Sequence, residues 1–225
     1  MLTPRRRFII AASAAALSSV LPTRSRVAWA QTAAPPGDSS PTNASRHYIS
    51  FEAPINETTS SRLIAIAGGL IQRGVNEIHL IVGTGGGSVA AALLVHGFFR
   101  GLPAKLTTYN LSTIQSAGGM IFLAGERRIA SQNAIFMFHP FRETFSSNSS
   151  LTLDDLKDRQ AFLSMDLKRV DDIYRERTSL TEAQMAEFKQ HAVYFDAAAA
   201  RDAGIIHEIA PLSIPPHASI TTVTP

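Results

Sequence analysis

The sequence predicts an α/β fold with a largely parallel sheet. Short apolar segments rich in β-branched residues alternate with segments whose apolar residues recur at helical spacing, and a glycine-rich turn at 83–87 joins one such pair. Parallel strands need crossover connections, which helices supply with a right-handed sense. With 225 residues, 45% apolar and 17% charged, the chain can bury one sizeable core in a single domain with tails.

The individual elements follow from local patterns. Strands are predicted where apolar and β-branched residues cluster, at 48–51, 77–82, 106–111, 134–139 and 205–209, and a buried helix at 116–124. Helix starts are predicted where a capping side chain precedes a helical pattern, namely at Ser60 or Ser61, Ser88, Thr152 with Asp155, Thr181 with Gln184, and Asp196. The helix that begins at Thr152 is predicted to be long.

Both ends of the chain are predicted to lie outside the domain. Residues 1–30 combine three arginines at 5–7, an apolar stretch at 8–21 and the small residues of Ala28-Trp29-Ala30, which predicts a signal peptide cleaved before Gln31. The pattern Arg-Arg-x-Phe-Ile resembles a twin-arginine signal. The alternative is an uncleaved anchor, although the apolar run is shorter than the ~20 residues that span a bilayer. We therefore expect an exported protein, periplasmic or otherwise extracytoplasmic.

Two further segments lack the patterns of folded structure. Residues 31–46 are rich in Pro, Ser, Ala and Thr, which predicts a flexible linker. Residues 210–225 contain four prolines, which predicts a disordered tail. The domain is therefore expected at 47–209.

Charge and composition exclude several classes of function. The leader holds five arginines and no acid, so the mature chain keeps 16 basic against 18 acidic residues, a formal net charge of −2. No basic stripe remains to suggest nucleic-acid binding. The absence of cysteine excludes disulfides, thiolate zinc sites and a cysteine nucleophile. The seven histidines are scattered without metal-ligand spacing, so no metal is expected.

Three short motifs carry candidate chemistry. Gly85-Gly86-Gly87-Ser88 follows a predicted strand, and its N–H groups can bind phosphate or a developing oxyanion, or the segment is simply a tight turn. Ser116 stands at a strand-to-helix junction, where it is either a nucleophile or a helix cap. His139 ends an apolar strand, where it is either a base or a structural histidine. Because serine is a poor nucleophile until a histidine takes its proton, Ser116 and His139 point to hydrolysis only together.

Taken in order, these motifs resemble the proteolytic subunit of Clp protease (ClpP), which belongs to the ClpP/crotonase superfamily. The resemblance runs from about Tyr48 to Ile209, and residues 116–125 are similar to the family's nucleophile helix. It implies a ClpP/crotonase-like α/β fold of repeated ββα-type units, with a mostly parallel sheet and a long protruding handle helix that begins at Thr152.

The resemblance also implies a serine endopeptidase and a role for each matching residue. Ser116 would attack the scissile carbonyl, and His139 would act as general base and then as general acid. The backbone N–H groups of Gly87 and Ala117 would form the oxyanion hole. Gly86 and Ser88 would bind substrate. No cofactor is implied.

The third triad member is where this sequence departs from the family. The family has an aspartate before the segment that matches 194–197, and an ungapped match places Ala192 there. Asp196 is close in sequence and is a candidate acid, although its position favours a helix cap. The loss of an orienting acid predicts weak or absent activity, because that acid stabilises the imidazolium.

The function we expect is that of an ATP-independent serine peptidase of the cell envelope, acting on peptides or unfolded protein. An exported protein meets no ATP pool, so no ATP-driven unfoldase is expected as a partner. The main alternative is a weak or inactive ClpP-like scaffold or peptide-binding protein. A crotonase-type acyl-CoA enzyme and a Ser/Lys peptidase using Lys105 are weaker alternatives. The resemblance implies a homo-oligomer, for which a ring is one arrangement.

Overall fold

The structure consists of two sheets and six helices, in a computed structural model that describes residues 46–142 and 150–224. The strands are β1 (Arg46–Phe51), β2 (Glu77–Val82), β3 (Lys105–Asn110), β4 (Thr113–Gln115), β5 (Arg127–Ala130), β6 (Ile135–Phe138), β7 (Val193–Asp196), β8 (Glu208–Ile209) and β9 (Ser219–Val223). The helices are α1 (Glu57–Gln72), α2 (Val89–Arg100), α3 (Gly118–Leu123), α4 (Leu153–Arg177), α5 (Glu182–Glu187) and α6 (Ala197–Asp202). The signal peptide and most of the predicted linker lie outside the described residues.

The larger sheet has six parallel strands in the order β8-β5-β3-β2-β1-β9. The smaller sheet has the order β4-β6-β7, with β4 and β6 parallel and β7 antiparallel to β6. The predicted α/β fold with a mostly parallel sheet is confirmed. The short strands β4, β5 and β7 were not predicted, because three or four residues are too few to show a strand period.

The core lies between the larger sheet and the helices, and it extends to the smaller sheet. Leu63 of α1, Leu80 of β2 and Phe122 of α3 are fully buried in it. Phe122 meets Phe136 of β6 edge-to-face, with ring centroids 5.1 Å apart. Each buried side chain of this size contributes roughly 1.5–3 kcal/mol. This packing fixes α3, and so the residues just before it, against the smaller sheet.

Most predicted helix starts are confirmed. Ser88 caps α2, Thr152 with Asp155 caps α4, Thr181 with Gln184 caps α5, and Asp196 caps α6. The prediction for α1 was wrong, because this helix begins at Glu57 and both Ser60 and Ser61 lie inside it. Asn56 is the cap: its Oδ1 accepts from Thr59 N–H at 3.0 Å, and Thr59 Oγ1 accepts from Asn56 N–H at 3.2 Å. This reciprocal pair satisfies two backbone donors, which the serines cannot do.

The prediction of a disordered tail at 210–225 was wrong. Residues 219–223 form β9, which pairs in parallel with β1 from His47↔Ser219 to Phe51↔Val223. Val223 is only 2% exposed. The sequence Ser-Ile-Thr-Thr-Val is β-branched and free of proline, and the prolines that suggested disorder lie outside it. Arg46, predicted as the last linker residue, opens β1.

The long handle helix is confirmed as α4, which has 25 residues and is about 37 Å long. Its first half is exposed, whereas Asp166, Val170 and Tyr174 in its second half are buried. None of the helices in the described part of the chain is long and apolar enough to cross a membrane.

Arg128 of β5 fixes the C-terminal end of α4. Its guanidinium donates to the carbonyl oxygens of Arg177 at 2.8 Å, Gly204 at 3.0 Å and Ile205 at 2.7 Å. Burial lowers the pKa of Arg128 to about 10. Because α4 is anchored here, its buried half is held over α3, where the candidate site lies.

Candidate active site

Ser116 occupies a sharp turn between β4 and α3. Its φ of 52° lies in the left-handed region, which residues other than glycine rarely adopt. Its N–H donates to the carbonyl oxygen of Met137 at 2.7 Å, which ties the turn to β6. The helix begins two residues later, at Gly118, and it has no side-chain cap. Ser116 is therefore not a helix cap, and its hydroxyl is left to face a cavity.

Two glycines bring a second backbone segment against this turn. A Cβ on Gly86 would lie 2.7 Å from Ser116 Cβ, and a Cβ on Gly87 would overlap the carbonyl oxygen of Ile55. Both glycines have positive φ, 93° and 143°. Ile55 holds the segment by donating to Gly86 O at 2.9 Å and accepting from Ser88 N–H at 2.8 Å. Only glycine allows this close approach.

The predicted oxyanion-hole donors are both uncommitted. Within residues 46–142 and 150–224, neither the Gly87 N–H nor the Ala117 N–H donates a hydrogen bond. Gly87 lines the same cavity as Ser116, and Ala117 follows Ser116 directly. Free N–H groups beside a candidate nucleophile can stabilise an oxyanion. Their role as the oxyanion hole stays a prediction.

His139 follows β6, and one of its ring nitrogens is occupied by the backbone. Its Nδ1 lies 2.6 Å from the carbonyl oxygen of Pro140, an atom that can only accept. Nδ1 therefore carries the proton, and Nε2 of the neutral ring is an acceptor. That is the tautomer a general base needs. No hydrogen bond joins the ring to Ser116 Oγ in the described chain.

A cavity of about 290 Å³ brings the candidate residues together. It is lined by the glycine turn, the serine turn, the end of β6 and the middle of α4: Gly87, Ser88, Ser116, His139, Phe141, Leu163 and Asp166. A smaller cavity of about 30 Å³ also opens beside Ser116 and His139. The contribution of α4 was not predicted, because residues more than 20 positions from His139 reach it only by packing.

The match with known proteins agrees with this arrangement. Residues 41–212 match the family model described as Clp protease. The chain belongs to the Clp protease family. Its members are generally serine peptidases. The structure is similar to that of a ClpP1 point mutant from Listeria monocytogenes, with a TM-score of 0.62 and 19% identity over 74% of this chain and 91% of that chain. At this identity the similarity shows the fold.

In this Clp protease family chain, Asp196 is not the third triad member. Its Oδ1 accepts from Ala199 N–H at 2.8 Å and caps α6. Across the smaller sheet Asp196 pairs with Ile135 of β6. Ile135 precedes His139 by four residues, which is about 13 Å along an extended chain. The prediction of Asp196 as a possible acid was therefore wrong, and the cap was the correct interpretation.

No other carboxylate takes that place in the described residues. Ala192 precedes Val193, which pairs with Phe138, so the register brings Ala192 opposite His139. Asp166 lines the larger cavity, and its Oδ1 accepts from Arg169 at 3.0 Å. Asp171 forms an ion pair with Lys189. The only hydrogen-bond partner of the His139 ring in this part of the chain is the Pro140 carbonyl.

In the ranges 46–142 and 150–224, no group of three or more His, Cys, Asp or Glu side chains could hold a metal ion.

Ser88, predicted to bind substrate, lines the larger cavity, but its Oγ accepts from Ala91 N–H at 3.2 Å. Ser88 is thus a helix cap at the rim of the site.

Proposed function

We propose that this chain is a serine peptidase in which Ser116 is the nucleophile and His139 the general base. One observation carries the proposal. A strained serine turn, a histidine and a Gly87 N–H all border one cavity, and nothing in residues 46–142 and 150–224 bonds to the histidine Nε2 or to that N–H. Polar groups with a structural role are normally hydrogen-bonded. A set of unbonded donors and acceptors at one cavity is therefore typical of a substrate-binding site.

The reaction follows from these atoms. With the substrate bound, the His139 ring turns so that Nε2 takes the Ser116 proton while Oγ attacks the scissile carbonyl. The resulting oxyanion receives hydrogen bonds from the N–H groups of Gly87 and Ala117, each worth about 2.7–4 kcal/mol of barrier. His139 then returns the proton to the leaving amine. Water, which gives its proton to His139 Nε2, then attacks the acyl carbon, and His139 returns that proton to Ser116 Oγ as the carboxylic acid product leaves.

The Pro140 carbonyl fixes the His139 tautomer, which is one of the two tasks of a triad acid. It keeps the proton on Nδ1, and so keeps the tautomer that leaves Nε2 available. A carbonyl carries no full negative charge, so it stabilises the imidazolium less than a carboxylate does. Loss of the triad acid lowers turnover about 10⁴-fold elsewhere, and we expect slow turnover here.

A second candidate function is peptide binding without catalysis. The absence of a hydrogen bond between His139 and Ser116, together with the lack of an acid on His139, favours it. The same cavity and the same free N–H groups would then hold a peptide that is not cleaved. Reaction at Ser116 separates the two functions.

We further propose that the protein acts outside the cytoplasm, as a homo-oligomer and without an ATP-driven unfoldase. The leader pattern of residues 1–30 supports export. Exposed apolar side chains on the first half of α4 support self-association: Leu153, Leu156, Phe162 and Met165. Cell fractionation followed by the intact mass of the recovered chain tests cleavage before Gln31. Light scattering tests assembly.

The decisive experiment is labelling with a fluorophosphonate, read by intact mass. We expect one adduct on the wild type and none on Ser116→Ala. Ser164→Ala, which removes an exposed hydroxyl on α4, is the matched control and should label like the wild type. Absence of an adduct on the folded wild type would contradict the peptidase and favour the peptide-binding function.

A further inference from the structure

The smaller cavity beside Ser116 has walls that are almost entirely apolar. Met120, Phe138, Val170 and Phe188 form them, together with Tyr174 of α4. Apart from Ser116 and His139 at its mouth, the Tyr174 hydroxyl is the one polar side-chain group among the residues that line it. At about 30 Å³ the space exceeds the 10–15 Å³ that one water needs, but it does not admit an aromatic ring.

The position of the Tyr174 hydroxyl is fixed by packing. The Tyr174 ring meets Phe138 and Phe188 at centroid distances of 5.2 and 5.4 Å. A Cβ on Gly119 would lie 2.5 Å from the hydroxyl oxygen, so this oxygen sits against the start of α3, three residues after Ser116. Tyr174 is 3% exposed, and burial raises the pKa of its phenol, so the group is a neutral hydroxyl.

This hydroxyl has no hydrogen-bond partner in the described part of the chain, although the side chain is almost wholly buried. In this part of the chain Ser60 Oγ is the one fully buried side-chain polar atom without a partner, so the unbonded Tyr174 oxygen keeps some accessible surface. Because it lines a cavity that opens at the nucleophile, the missing partner can be supplied by a substrate.

We propose that Tyr174 determines specificity by selecting a short, hydroxyl-bearing side chain, Thr or Ser, on the amino side of the scissile bond. The inference rests on the proposed peptidase function. When the scissile carbonyl oxygen lies at the N–H groups of Gly87 and Ala117, the neighbouring side chain lies beside Ser116, where this cavity opens. A hydroxyl there bonds Tyr174, whereas an apolar side chain of equal size leaves the phenol unpartnered and displaces any water that could serve it.

The test compares two fluorogenic peptides that differ only in Thr or Val before the cleaved bond, because these side chains have nearly the same shape. We expect kcat/KM for Thr to exceed that for Val about tenfold in the wild type, as one hydrogen bond of ordinary strength allows. In Tyr174→Phe the ratio falls to about one through loss with Thr. Tyr194→Phe, an exposed matched control, keeps the wild-type ratio. An unchanged ratio in Tyr174→Phe, or no preference in the wild type, overturns the proposal.

A binding measurement separates this proposal from the peptidase function. Labelled peptides that end in Thr or Val are titrated into Ser116→Ala and followed by fluorescence anisotropy. We expect about tenfold tighter binding of the Thr peptide, and equal binding when Tyr174→Phe is added. Equal binding to Ser116→Ala, or no binding, overturns the role of Tyr174. Failure of fluorophosphonate labelling with the binding ratio intact overturns the peptidase alone.

Discussion

His79 and His139 both lie at least partly buried in the chain, yet their rings are bonded in opposite ways. His79, in the larger sheet, has both nitrogens occupied: Nδ1 lies 2.9 Å from Tyr109 Oη, and Nε2 lies 2.9 Å from Glu77 Oε1. Its ring also packs against the rings of Tyr48 and Tyr109, with centroids 4.7 and 5.6 Å away, tilted to the first and stacked on the second. His139, beside the smaller sheet, has Nδ1 at the Pro140 carbonyl, and no group of the described chain bonds to its Nε2.

The comparison shows why the carboxylate-bonded histidine is not the reactive one. The Glu77–His79 pair has the acid that a triad histidine needs, but the other ring nitrogen of His79 is hydrogen-bonded to the Tyr109 hydroxyl. His139 has no acid and no second ring partner among the described residues, and it lines the same cavity as Ser116. A polar side chain whose donors and acceptors are all hydrogen-bonded stabilises the fold, whereas one with an unused acceptor at a cavity is available for chemistry.

The largest effect should come from removing the open histidine. His139→Gln should lower the turnover of an activated peptide ester about 10²–10⁴-fold, because the Ser116 proton loses its acceptor. Steady-state kinetics measure this effect, and urea unfolding checks that the free energy of unfolding stays within about 1 kcal/mol. Unchanged turnover would contradict the assignment of His139 as the base.

Replacing His79, whose two ring nitrogens are hydrogen-bonded, should affect stability and not turnover. His79→Leu leaves the Tyr109 hydroxyl without its partner and leaves Glu77 Oε1 with Arg46 alone, so we expect the free energy of unfolding to fall by about 1–3 kcal/mol. Turnover per folded molecule should not change. Loss of turnover at full stability would show that the two histidines are not separated as proposed.

The same substitution should also reduce the dependence of stability on pH. Burial lowers the pKa of His47, His79, His96 and His207. Below about 6.5 the unfolded chain therefore binds more protons than the folded one, and stability falls as the pH decreases from 7 towards 5. His79→Leu should lose less stability over that range. His191→Gln, an exposed histidine, is the control and should lose as much as the wild type.

The smallest effect is expected for Asp196, the candidate third triad member. Asp196→Ala should lower the free energy of unfolding by about 1 kcal/mol through loss of the α6 cap, whereas Asp196→Asn keeps the cap and the stability. Neither change should alter turnover, because the carboxylate bonds to Ala199 N–H. A collapse of turnover in Asp196→Asn at unchanged stability would make Asp196 the orienting acid after all.

Local features of the fold could be predicted from the sequence. The caps Ser88, Thr152, Thr181 and Asp196 and the bounds of β2 depend on a few neighbouring residues, and the structure confirms them. Features that depend on distant partners could not. Strand β4 has three residues and exists because Thr84 and β6 pair on either side of it.

The candidate site divides in the same way. Ser116, His139 and Gly87 were found because each belongs to a short motif, and the structure brings them to one cavity. Tyr174 and Phe188, which close the smaller cavity, were missed as site residues because their apolar pattern indicates only packing. The hydroxyl of Tyr174 can be recognised as a site group only from the structure, because only the structure shows that nothing in the described chain bonds to it.

The pairing of β9 with β1 has a consequence for biosynthesis. Strand β1 leaves the ribosome first among the described elements, whereas its neighbour β9 lies about 170 residues further along the chain, from His47 to Ser219. Until then β1 has one edge without a partner, and unpaired edges promote association between nascent chains. Contacts this distant in sequence also form slowly. Completion of the larger sheet is therefore a late step in the folding of this domain.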